Sequence, residues 1–102
     1  MSERLKADVR RDQILAVALT MAERDGFNNL RRDAVAEEAG VATGQVNHMF
    51  ETMDKLRRAV MRAAVSREIL PIIAQGLANG DKVAHEAPVW LKQKALASLV
   101  EV

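Results

Sequence analysis

His48 and His85 are the only imidazoles in a chain that has no cysteine. A metal site needs three or four ligands at short spacing, and an activated nucleophile needs a base beside it. Neither histidine has a partner of ligand or triad type, and no carboxylate dyad or phosphate-cradling glycine loop is present. The sequence therefore implies no metal, no cofactor and no enzyme. What stands out instead is the run "VATGQVNHMF" from Val41 to Phe50. Thr43, Gln45, Asn47 and His48 supply hydroxyl, carboxamide and imidazole groups, and Gly44 leaves room beside them. Such a run recognises hydrogen-bonding partners and transforms nothing.

The elements around it are helical. From Arg10 to Arg24, Ile14, Val17, Ala18, Met21 and Ala22 recur at helical spacing, and "DGF" at Asp25–Phe27 supplies a glycine stop followed by an apolar anchor. Asn28 and Asn29 are good cap types for a second helix reaching about Ala39. Leu30, Ala34, Val35 and Ala39 would face inward, and Arg31, Asp33, Glu37 and Glu38 outward. Gly40 ends that helix, and a third runs from about Thr43 to Phe50. With Val46 at the centre of its buried face, a step of about 100° per residue places Thr43, Met49 and Phe50 beside it. The same step swings Gly44 and His48 to the far side, with Gln45 and Asn47 on the flanks. Thr52 caps a fourth helix with Asp54 in its first turn, and Leu56, Val60, Met61, Ala64 and Val65 carry its stripe toward Leu70, where Pro71 kinks or ends it. A short piece closes at Gly80. A terminal helix, opened by Pro88, carries Leu91, Ala95, Leu96 and Leu99.

With 102 residues, 49% hydrophobic but only 3% aromatic and without tyrosine, the chain reads as one all-α unit. The absence of cysteine suits a reducing compartment. The charged N-terminus lacks the apolar core of a signal peptide, and no apolar run approaches the roughly 18 residues of a membrane span. A cytoplasmic protein is expected. The net charge of +1 announces no polyanionic partner by itself. Its distribution says more: basic residues gather at Arg4, Lys6, Arg10 and Arg11, at Arg31 and Arg32, and at Lys55, Arg57, Arg58, Arg62 and Arg67.

Two helices joined by a short glycine-containing turn are the signature of a helix-turn-helix, whose second helix enters the major groove of DNA. That groove, about 12 Å wide, admits a helix whose leading side chains are small and polar. Around this core, "ILAVALTMAERDGF", "VAEEAGVATGQVNHMF" and "TMDKLRRAV" resemble, in order and spacing, the N-terminal DNA-binding domain of the TetR family of repressors. The resemblance covers about Arg10 to Val65, and its most specific positions are Ala36, Ala39, Gly40, Val41, Gly44, Val46, Phe50 and Leu56.

The resemblance implies a three-helix DNA-binding domain at 1–65, a long fourth helix, and a C-terminal helical segment at 66–102 for dimerisation. It makes Thr43, Gly44, Gln45, Asn47 and His48 the surface that meets DNA, anchored by Val46 and Phe50. Four positions depart from the family pattern. Asn47 stands where the family often has tyrosine, Met53 where it often has lysine, and Leu30 and Arg31 where it has threonine or serine. Arg31, Arg32 and Lys55 are the nearby candidates for phosphate contacts.

Family members usually carry a much larger effector-binding domain, for which only Ser66–Val102 stands here, so a small-molecule effector is not expected. A homodimer is expected instead, held by Trp90, Leu91, Ala95, Leu96 and Leu99 with the Ile69, Ile72 and Ile73 cluster. The partner set is then a double-stranded DNA operator, a second copy and a possible regulatory protein. The competing reading is a protein-interaction module on a helix-turn-helix fold that has lost DNA binding, which Met53 and the near-neutral charge favour. The polar face of helix three and the basic clusters favour DNA.

Overall fold

The structure, a computed structural model, describes residues 3–100, with side chains from Lys6 to Val100. Among the described residues it is all α-helical, with a single turn of 3-10 helix and no strand. Arg4 of the N-terminal basic cluster lies outside the described side chains.

Helix α1 (Glu3–Asp25) begins before the apolar periodicity does and buries Ile14, Ala18, Leu19, Met21 and Ala22. Gly26, at φ +106, turns the chain as the "DGF" signal implies, and Phe27 is 4% exposed. The two asparagines do not cap the second helix. They sit in the 3-10 turn Phe27–Asn29, where Asn29 donates its carboxamide N–H back to the carbonyl of Asp25 at 2.6 Å. The side chain thus closes the end of α1, and α2 (Arg32–Ala39) starts three residues later behind an uncapped, extended Arg31.

Gly40, at φ +71, terminates α2 in a Schellman motif. Its own N–H donates to Glu37 O at 3.2 Å and that of Val41 to Ala36 O at 3.0 Å. Helix α3 (Thr43–Phe50) has the expected bounds and buries Val46 and Phe50. Thr52 then caps α4 (Met53–Ser66), its hydroxyl oxygen accepting from the Lys55 N–H at 3.1 Å.

Helix α4 stops earlier than its apolar stripe suggests. Glu68 takes φ +54, and the N–H groups of Glu68 and Ile69 donate to Val65 O and Ala64 O in a second Schellman motif. No glycine marks this stop because a glutamate occupies the left-handed position, at a cost of about 1–2 kcal/mol. Pro71 therefore neither kinks nor ends α4. It lies in the first turn of α5 (Leu70–Ala78), where its missing N–H matters little. A further short helix, α6 (Lys82–His85), is capped by Asp81, and Pro88 is the residue before α7 (Val89–Ser98).

Helix α1 packs on α2 and α4, α2 on α3, and α5 on α4, α6 and α7. The buried side chains form one cluster from Ile14 to Ala95. Gln75 ties its two ends together, its side-chain oxygen accepting from the Phe27 N–H at 2.7 Å. Burying Val46 and Phe50 is worth about 1.5–3 kcal/mol each, which fixes the rotation of α3 and with it the side chains that remain outside.

Candidate nucleic-acid interface

On α3, Gly44, Gln45 and His48 are exposed, while Thr43 and Asn47 are half-buried on its flanks. A Cβ built at Gly44 meets nothing within 4 Å, so no close packing inside the chain requires a glycine there. The Thr43 hydroxyl donates to Asp33 Oδ1 at 3.4 Å, tying the start of α3 to α2. Gln45 Oε1 accepts from Arg10 Nη1 at 3.5 Å, so α1 reaches the edge of this face. Asn47 Oδ1 is buried with no hydrogen-bond partner. A buried acceptor left open costs about 1–3 kcal/mol, so that oxygen adds no hydrogen bond to the isolated fold.

Arg31 is exposed and Arg32 half-buried at the start of α2, and both line an open groove with Arg57 from α4. The sequence places Arg57 only in the basic cluster of α4, because its grouping with Arg31 and Arg32 needs the α2–α4 geometry. Its guanidinium lies 3.4 Å from Asp54 on the same helix. Lys55 is less available than its sequence position suggests, since its ammonium sits 2.7 Å from Glu51. That hydrogen bond holds the Glu51 carboxyl below its ordinary range, and a phosphate reaching Lys55 has to displace it. The Arg11 guanidinium lies 4.8 Å over the ring of Phe50, which settles a second α1 arginine against the end of α3. Arg32, Thr43, Gly44, Gln45, Asn47, His48 and Lys55 thus all lie on α2, α3 or the first turn of α4, and Arg31 immediately precedes α2.

Residues 14–60, from the middle of α1 into α4, match the model of the tetR family of bacterial regulatory proteins. This stretch is a TetR-family N-terminal domain. No curated protein and no solved structure matches the chain. The TetR-family domain is the DNA-binding part of a family of transcription regulators, and it holds all eight candidate DNA-contact residues named above. It ends within α4, so α5, α6 and α7 lie outside the matched residues.

Those later helices correct part of the expected dimer surface. Leu91 is 2% exposed and Ala95 fully buried, both facing the chain's own core with Ile72 and Ile73. None of these four is free to meet a second copy. Trp90, Leu96 and Leu99 do lie outside, 49–60% exposed, together with Val89. Leu77, Val89, Leu96 and Leu99 share an apolar groove between α5 and α7, which Trp90 does not line. Among the described residues no helix is long and apolar enough to cross a membrane, and no three His, Asp or Glu side chains converge to hold a metal ion.

Proposed function

We propose that the chain is a sequence-specific DNA-binding transcriptional repressor, acting as a dimer on a near-palindromic operator. The observation that carries this reading is Gly44. It stands on the exposed face of α3, in a helix where glycine is unfavourable, with open space where a side chain would be. A glycine not needed by the fold leaves room for an outside body to approach the helix backbone. Gln45 and His48 beside it carry exposed donors and acceptors of the kind base edges require, with Asn47 half-buried on the flank. Arg31 and Arg32 flank this face as phosphate contacts that set the protein's position on the duplex. In this reading residues 1–65 read DNA and residues 66–102 pair two copies. Selection from a random duplex pool by the purified protein tests it: bound DNA should converge on a site with two related half-sites.

One recognition helix contacts too few base pairs to select a site in a genome, and two copies on a two-fold axis double the contacts. The exposed apolar side chains of α7 supply the candidate surface: Val89, Leu96 and Leu99 along the groove, and Trp90 outside it. Leu96→Glu with Leu99→Glu should leave a folded monomer, because both residues are about half exposed or more and outside the core. Light scattering should show half the wild-type mass, and operator affinity should fall at least tenfold. A wild type that is monomeric while saturating the operator would remove the dimer from this account.

A further inference from the structure

Three guanidinium groups and one ammonium line a groove that the base-reading face does not use: Arg11 from α1, and Lys55, Arg58 and Arg62 from α4. Glu51 is the single acid in its lining, and it is already paired with Lys55. Arg11, Arg58 and Arg62 are exposed and make no ion pair among the described residues. Like charges gathered in one groove attract a polyanionic partner.

Two observations say which polyanion. First, the groove is continuous with α3, since Met49 and Phe50 form its floor and Arg11 is held over the Phe50 ring. The neighbouring Arg10 meets Gln45 on the recognition face itself. Second, Lys55, Arg58 and Arg62 stand at i, i+3 and i+7 on one side of α4, a stripe about 10 Å long. Phosphates of one strand rise about 3.4 Å each along the duplex axis while winding around it, which sets neighbours roughly 7 Å apart, so the stripe spans about two of them.

We infer that this groove carries the DNA backbone past the C-terminal end of the recognition helix, so that the operator's flanking phosphates are part of the bound site. The inference rests on the DNA-binding reading above. It adds a footprint outside the bases that α3 reads. The groove also recruits Arg58 and Arg62, which are remote from those bases.

The test is Arg58→Gln with Arg62→Gln, two exposed side chains whose loss leaves the core intact. Affinity is measured against salt on the selected operator with ten flanking base pairs per side, and on the same operator trimmed to its half-sites. On the long duplex the slope of log affinity against log salt should become shallower by about 0.9 per lost contact, about 1.8 per subunit. On the trimmed duplex, variant and wild type should converge, and the preference for operator over scrambled sequence should be unchanged. Equal slopes on the long duplex, with wild type still preferring its operator, would take the groove off the DNA path while leaving the α3 reading standing. So would saturable binding of sodium tripolyphosphate at 150 mM salt that the double variant abolishes without any change of slope, since that assigns the groove to a free oligoanion. A wild type that prefers no DNA sequence would remove the functional reading first and this inference with it.

Discussion

Replacing Gln45, Asn47 and His48 together by alanine should abolish operator selection while leaving the fold as stable as before. Gln45 and His48 are exposed, and among the described residues the only side-chain hydrogen bond either makes is the 3.5 Å contact from Arg10. Asn47 carries a side-chain oxygen that the fold leaves unpaired, so its replacement breaks no hydrogen bond to that atom. On DNA the balance reverses. A good base contact is worth about 1–3 kcal/mol, and three neighbours on one helix turn are not independent, so the joint loss should be roughly 3–6 kcal/mol per site. Residual binding should be sequence-indifferent and strongly salt-dependent, carried by Arg31 and Arg32 on phosphates. Circular dichroism melting should show an unchanged or higher midpoint, and anisotropy titration should show the loss. An unfolded variant would mean that these residues hold the core.

The second large effect separates two glycines by their reasons. A side chain at Gly76 has no space: its Cβ would collide with the Met61 methyl and lie 2.8 Å from Ala84 Cβ, where α5 crosses α4 and α6. Gly76→Val should therefore cost about 3 kcal/mol, by overpacking and by forcing a branched side chain into a tight helix crossing. Urea unfolding should show the midpoint falling in proportion. Gly44→Ala meets open space and should be neutral or stabilise by up to about 1 kcal/mol, as replacing a helical glycine does. The same change should weaken operator binding, because in the proposed reading the added methyl would stand where the duplex approaches. Equal effects of the two substitutions on stability would contradict this distinction.

The contrast between these glycines shows where the sequence was legible. Gly40, Thr52 and the Val46–Phe50 spacing are local signals with local causes: a left-handed stop, a hydroxyl cap, and two anchors one turn apart. The bounds of α3, and so its outward face, follow from them. The end of α4 was not legible, because a left-handed glutamate at Glu68 stands where a glycine would have announced the stop. Asn29 misleads for a related reason: one side chain can close the helix before it or cap the helix after it, and packing decides that it bonds back to Asp25. On α7 the apolar residues cover more than one face. Periodicity finds them without saying that Leu91 and Ala95 go to the core while Leu96 and Leu99 stay outside. The basic groove lies beyond any reading of the chain in order, since Arg11 and Arg62 become neighbours only once α1 lies against α4.

The Lys55–Glu51 pair is a moderating feature of the site. Both groups are exposed, so the pair contributes little to stability, but in the proposed reading a phosphate would have to take the carboxylate's place to reach the lysine. Arg24 makes a comparable arrangement at the end of α1, bridging Asp25 and Glu38 at 2.7 and 2.9 Å and so joining α1 to α2. The Arg24 hydrogen bond holds the Asp25 carboxyl below its ordinary range. The pairing is then complete at neutral pH and is lost only as pH falls through that lowered value.

The most direct measurement is the ratio of affinities for the selected operator and for a scrambled duplex of equal length, taken with wild-type protein at 150 mM salt. A protein that reads bases through Gln45, Asn47 and His48 should give a ratio of about 10³ or more, the lower end for specific DNA-binding proteins. A ratio near one, with both affinities falling equally as salt rises, would mean that the chain holds DNA only by its charge, and would contradict the account.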